Sequence, residues 1–215
     1  MTAKIKLNAA SGGGSISIQA PSSSSNNRVI SLPDIADGTL LTSQSSLDST
    51  KLSPAISAGI AMHDVWQVTA QLSVGSGDSA ITANWARADA LNGVIGSAMT
   101  QSSGVFTFPS TGIYLVTING NYEESGSGGH NYAGFYLKKT TNNSSYTTAS
   151  FGAANIAALG GGTFGFASAS FTFDVTHVST HKIRFHTITS GAGMTLAGAS
   201  SYNTFWAEFT RLGDT

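Results

Sequence analysis

The chain contains no cysteine in its 215 residues. Disulfide frameworks, thiol nucleophiles and thiolate metal sites are excluded together. Charge is scarce too: Asp, Glu, Lys and Arg make up 10%, where an ordinary globular protein has roughly a quarter. The net charge is −1 and no Lys/Arg run occurs, so the basic footprint of a nucleic-acid-binding protein is missing. No apolar stretch reaches the roughly 18 residues that a membrane-spanning helix needs. The start, Met1-Thr2-Ala3-Lys4-Ile5-Lys6, lacks the apolar segment of a secretory signal. The expectation is a protein made in a cytoplasm, with no membrane insertion, nucleic-acid partner or cofactor.

What is present is a 40% share of hydrophobic residues, enough for a core, with Ser, Thr, Asn and 25 glycines supplying the polarity. So few surface ions imply that part of the surface is buried against partners. Composition separates three regions. Residues 1–50 hold short apolar pairs (Ile5 and Leu7, Ile16 and Ile18, Val29 and Ile30) between turn-forming runs such as Ser11-Gly12-Gly13-Gly14. Such a segment cannot build a core of its own and is expected to order against sister chains or a docking partner. Residues 51–63 read as a neck, in which Ser53-Pro54 followed by Ile56 and Ile60 predicts a short helix.

Residues 64–215 read as β throughout. Trp66, Val68, Ala70, Leu72 and Val74 alternate with polar residues, as do Ala167, Ala169, Phe171, Phe173 and Val175. His181, Ile183 and Phe185, and then Phe205, Ala207 and Phe209, repeat the pattern. Period two with one polar face is the pattern of antiparallel sheets packed on one side. Without strand–helix alternation a parallel sheet is excluded, and the many strands predict a sandwich or jelly roll. Trp66, Trp85, Trp206 and several Phe exceed what one small sandwich needs, which predicts a closed oligomer that buries the surplus.

The stretch Gly104-Val105-Phe106-Thr107-Phe108-Pro109-Ser110-Thr111-Gly112-Ile113-Tyr114-Leu115-Val116 resembles a hairpin element of the globular heads of the first complement component, shared more loosely with tumour necrosis factor. The closing Thr204-Phe205-Trp206-Ala207-Glu208-Phe209-Thr210-Arg211-Leu212 is similar to that family's last strand, with Ala207 where a glycine is usual. The resemblance spans 64–212 and implies an all-β, antiparallel jelly-roll head that assembles as a trimer. Lys4-Ile5-Lys6-Leu7-Asn8-Ala9-Ala10-Ser11-Gly12-Gly13-Gly14-Ser15-Ile16-Ser17-Ile18-Gln19-Ala20-Pro21, with Asn26-Asn27-Arg28-Val29-Ile30-Ser31-Leu32-Pro33-Asp34, looks like the leader of tail-fibre and other virion structural proteins of tailed phages. That likeness implies a virion-attachment segment joined to an exposed head.

Candidate chemistry is thin. Gly160-Gly161-Gly162-Thr163-Phe164-Gly165 fits G-x-G-x-x-G, but a strand pattern follows it where a dinucleotide site needs a helix. His177 and His181 flank a turn, with His186 nearby; no Cys or HExxH glutamate joins them, and a metal site would need one His from each chain around a threefold axis. Glu123 and Glu124 are the only adjacent acid pair, and strand neighbours face opposite ways, so they cannot act on one bond. No G-x-S-x-G elbow exists. No enzyme is expected.

Asn142, Asn143 and Tyr146, in a polar loop, and Tyr202 are the candidate ligand contacts, by hydrogen bonding and stacking on a cell-surface glycan. Alternation of antiparallel strands predicts that the turns at 75–79, 140–146, 176–181 and 199–203 share the head's far end, with 121–131 at the base. The expected function is a trimeric tail-fibre or appendage subunit of a phage virion. It would be held to other virion proteins by residues 1–50 and would present a head for host attachment. The alternative is a capsid decoration protein. A weaker third reading is a cellular matrix or spore-surface protein.

Overall fold

The computed structural model describes residues 4–8, 11–19, 59–87, 93–124, 130–157 and 162–215. Contacts divide the chain into two compact units, Met1–Leu47 and Asp48–Thr215. In the first, β1 (Lys4–Asn8) pairs antiparallel with β2 (Ser15–Gln19), Ile5 facing Ile18 and Leu7 facing Ile16. Gly12 and Gly13 turn the chain between them at φ of 85° and 71°, a backbone region open to glycine because it has no Cβ. Ile5 and Leu7 are 64% and 58% exposed, so this hairpin has no core to hold it.

The second unit is two antiparallel sheets. It opens with β3 (Met62–Val68), β4 (Leu72–Val74), β5 (Gly77–Ala80) and β6 (Trp85–Arg87). Then come β7 (Thr100–Ser102), β8 (Val105–Thr107) and β9 (Gly112–Glu124). The long strands follow: β10 (His130–Thr140), β11 (Thr147–Ile156), β12 (Thr163–Val175) and β13 (Lys182–Thr189). The unit closes with β14 (Met194–Leu196) and β15 (Phe205–Gly213).

In the first sheet β9 pairs with β12 along one edge, and along the other with β15 and then β14. Next to these, β3 lies beside β15, β6 beside β3, and β4 beside β14. In the second sheet β11 pairs with β10 and β10 with β13; β8 and β5 share the far edge of β13, with β7 outside β8. Alternate side chains of β9, Tyr114, Val116, Ile118 and Tyr122, are wholly buried between the sheets, as period two requires.

Trp66, Trp85, Phe106, Phe185, Phe205 and Phe209 interlock there with ring centroids 5.1–5.9 Å apart. Each buried side chain of this size stabilises the fold by about 1.5–3 kcal/mol. Tyr122 donates its hydroxyl to the Gly134 carbonyl at 2.5 Å, tying the sheets together. At the edge, the buried Asp64 carboxylate accepts from Trp66 Nε1 at 3.1 Å, Met99 N at 2.8 Å and Arg87 Nε at 3.1 Å. That set satisfies a charge which would otherwise be costly to bury.

Four expectations need correction. The strand read as Trp66–Val74 is two strands: at Thr69–Gln71 the chain leaves β15 for β14, and Ala70 is exposed. The 104–116 element is not a hairpin, because β8 and β9 belong to different sheets and Phe108–Thr111 carries the chain across. The hairpin here is β7–β8, turned by Ser103 and Gly104 at φ of 48° and 76°, the geometry that suits strand twist. Trp66 and Trp85 are consumed by the core, so they are no surplus.

The fourth correction concerns the ends of the head. β3 begins beside the finish of β15, Met62 facing Arg211, and this defines the terminal end. The turns at 140–146 and 176–181 lie at that end, joined by Asn143 N donating to Thr180 O at 3.0 Å, and Val175 faces Gly112 beside Gly213. The opposite end holds 75–79, 199–203 and the segment where β9 finishes and β10 begins. The neck helix expected over 51–63 falls largely outside the described residues; from Met62 onward this segment is strand.

Candidate functional site

Two sheet faces point away from the core, and their chemistry differs. On the first sheet the outward side chains of β12, β9 and β15 are Phe164, Phe166, Leu115, Trp206 and a row of Ser, Thr and Asn. Phe164 is 64% exposed and Phe166 51%. Phe166 lies 6.3 Å from Trp206, ring to ring, and Trp206 Nε1 donates to Glu208 Oε1 at 2.6 Å. Large aromatics standing in water on a sheet this poor in charge mark a contact surface. The charges this face does carry are mostly acidic: Glu123, Asp174 and Glu208.

The outward face of the second sheet is basic and aromatic. Four of the ten Lys and Arg residues, Lys138, Lys139, Lys182 and Arg184, stand on β10 and β13. Lys138 faces Arg184 in register, and Tyr136 faces His186. Phe151 on β11, 53% exposed, packs on Tyr136 at 5.1 Å. The Asp78 carboxylate receives Lys138 Nζ, and the His186 Nδ1 contact lies at 2.6 Å. Burial holds the His186 imidazole below its ordinary 6.5 despite Asp78 beside it. The guanidinium of Arg184 lies flat over the Tyr146 ring at 4.3 Å, and among the described residues no carboxylate pairs with it.

The four candidate ligand residues do not form one site. Asn142 Oδ1 is occupied within its own loop, accepting from Thr140 Oγ1, Ser144 N and Ser145 N at 2.9–3.0 Å. Asn143 adopts the left-handed backbone at φ 57°. Both belong to the turn architecture. Tyr146 is half-buried under Arg184, and Tyr202, 61% exposed, lies at the opposite end of the head. Phe151, Lys138 and Arg184 were missed by sequence reasoning. The one signal was the concentration of scarce cations on two strands.

The other candidates are accounted for by local structure. The His177 and His181 rings lie 5.9 Å apart, and His181 stacks on Phe173 at 5.4 Å. Among the described residues no group of three or more His, Cys, Asp or Glu is placed to hold a metal ion. Glu123 points outward to Gln71 Nε2 at 3.3 Å, whereas Glu124 is buried against His130 Nε2 at 2.5 Å. The strand Thr163–Val175 follows the glycine run.

No protein-family model matches the chain, and no curated protein matches it. Among solved structures it is similar to Eiger TNF from S. frugiperda, at 16% identity and a TM-score of 0.53, over 73% of this chain and 96% of that one. It is also similar to murine APRIL at pH 5.0, at 11% identity and a TM-score of 0.50, over 70% of this chain and 99% of that one. At such identities the likeness defines the fold: an antiparallel jelly roll of the tumour necrosis factor type.

Proposed function

We propose that the chain is a subunit of a phage virion appendage, a homotrimeric tail-fibre protein whose head attaches to a host-surface glycan and catalyses nothing. Residues 1–50 join it to other virion proteins, and the phage-leader likeness of Lys4–Pro21 supports that role. The observation that carries the reading is the separation of the chain into two units, the first opening with a hairpin whose Ile5 and Leu7 stand exposed. A segment with no core of its own gains stability from docking. Trimerisation uses the outward face of β12, β9 and β15, where Phe164, Phe166, Trp206 and Leu115 await cover. The second reading, capsid decoration, draws on the same two units.

The test is incorporation. The full chain should copurify with particles, and a chain lacking residues 1–50 should remain soluble in the lysate. Incorporation of the truncated chain at normal occupancy would overturn the assigned anchor. Immunogold labelling then separates the readings, since label at the tail supports the fibre and label over the shell supports decoration.

A further inference from the structure

We infer that the outward face of β11, β10 and β13 is a binding face for an acidic polysaccharide, with Arg184 and Lys138 receiving its anionic groups and Phe151 and Tyr136 stacking on its sugar rings. This names the glycan class and the surface for the attachment reading above, and it rests on that reading for its biological sense. It also moves the site from the loops to a sheet flank.

The argument begins with charge. In a chain of net charge −1, this face holds Lys138, Lys182 and Arg184 against a single carboxylate, Asp78. Asp78 is shared between Lys138 and His186, so it neutralises Lys138 in part and Arg184 not at all. Arg184 is also held in place: its guanidinium plane rests on Tyr146 at 4.3 Å. A stacked guanidinium offers its remaining N–H donors in a planar fork, the geometry that matches carboxylate, sulfate or phosphate oxygens. Tyr146 is thus a positioning residue, with Arg184 making the contact.

Next to the cations lies an aromatic platform. Phe151 and Tyr136 sit 5.1 Å apart, and Phe151 is 53% exposed although it is a large apolar side chain on a strand. Lys138 Nζ lies 5.6 Å from the Tyr136 ring, which links platform to cations. Tyr136 and Lys138 stand two residues apart on β10, about 7 Å along the strand. A chain molecule laid across these rows meets an apolar ring face and then a cation pair. An acidic polysaccharide presents that combination: sugar C–H faces for the aromatics and a regularly placed anion for the fork. A neutral glycan leaves Arg184 without a partner, and a small inorganic anion leaves Phe151 uncovered.

The test uses the full chain at neutral pH and low salt, with alginate as a uronate probe, heparin as a sulfate probe and dextran as the neutral control. One or both acidic polymers should bind, dextran should not, and binding should weaken as salt rises through about 0.15 M. Arg184→Gln and the double variant Lys138→Gln/Arg184→Gln should weaken binding about tenfold or more. Phe151→Ala should weaken it severalfold, as expected for a lost stacking surface. Asp174→Asn, on the other sheet, should leave it unchanged, and all variants should keep the parent's circular dichroism.

The inference is overturned if neither acidic polymer binds, or if dextran binds equally well. It is equally overturned if the Arg184 and Phe151 variants bind as the parent does, or if inorganic sulfate or single-stranded DNA competes as well as the polymer. Failure here remains distinguishable from failure of the attachment reading. A chain that ignores both polymers but is incorporated into particles and needed for their adsorption overturns this face alone. Polymer binding by a chain that never enters particles overturns the attachment reading and leaves the face standing.

Discussion

Asp64 and Arg87 are joined across β3 and β6, Oδ1 to Nε at 3.1 Å, with the Asp64 side chain wholly removed from solvent. The same carboxylate holds Trp66 Nε1 and Met99 N, and Arg87 also donates to the Met99 carbonyl at 2.7 Å. One buried carboxylate therefore fastens three separate stretches of chain at the sheet edge. Asp64→Ala leaves the half-buried guanidinium and two buried N–H groups without their acceptor, and should cost about 3–5 kcal/mol. Urea unfolding should show a lowered midpoint with an unchanged slope. A loss under about 1 kcal/mol would remove this node from the account.

Acid should loosen the head through two histidines. Burial, with His177 close by, holds His181 below its ordinary 6.5, and burial does the same to His186. The unfolded chain then binds protons more readily than the folded one, so stability is full above pH 6.5 and is lost as pH falls through 6.5 towards the depressed folded values. Asp78, held below its ordinary 3.8, adds a loss only at lower pH. The melting temperature should fall between about pH 7.5 and pH 5.5, and the fall should be shallower in His181→Gln/His186→Gln. An identical pH profile in that variant would refute the assignment.

The closure of the sandwich depends on a glycine. A Cβ at Gly152 would stand 1.7 Å from the Ser168 carbonyl oxygen, where β11 approaches β12. The neighbour is backbone and cannot swing aside, so Gly152→Ala should cost about 1–3 kcal/mol or more. Gly193→Ala tests a different cause, since nothing lies near its Cβ and only its φ of +99° resists substitution. Thermal melts of the two should show the larger drop for Gly152→Ala.

Much of this fold could be read from the chain because period two reports burial directly. Phe205, Ala207 and Phe209 alternate in the sequence and are wholly buried, and the inward set Ala167, Ala169, Phe173 and Val175 behaves likewise. Alternation says nothing about which strand a residue pairs with, so the change of partner at Thr69–Gln71 inside an unbroken pattern was invisible. Reading Gly104–Val116 as a hairpin miscounted the reversals by one. That single error inverted the assigned end of 121–131, 140–146 and 176–181, while 75–79 and 199–203, reckoned from the nearer ends of the head, kept theirs. The basic flank was harder still. Phe151, Lys138 and Arg184 lie far apart in sequence and become neighbours only when β11, β10 and β13 pair.

The central claim, a trimer built on the outward face of β12, β9 and β15, is tested most directly by sedimentation of the full chain beside its Phe166→Glu variant at micromolar concentration. Phe166 is 51% exposed and lies 6.3 Å from Trp206, so the charge should leave each protomer folded while burdening any contact made through this face. The parent should sediment at about three times 22.0 kDa, and the variant should shift to the protomer mass with unchanged circular dichroism. A parent at 22.0 kDa, or a variant that stays fully trimeric, would contradict it.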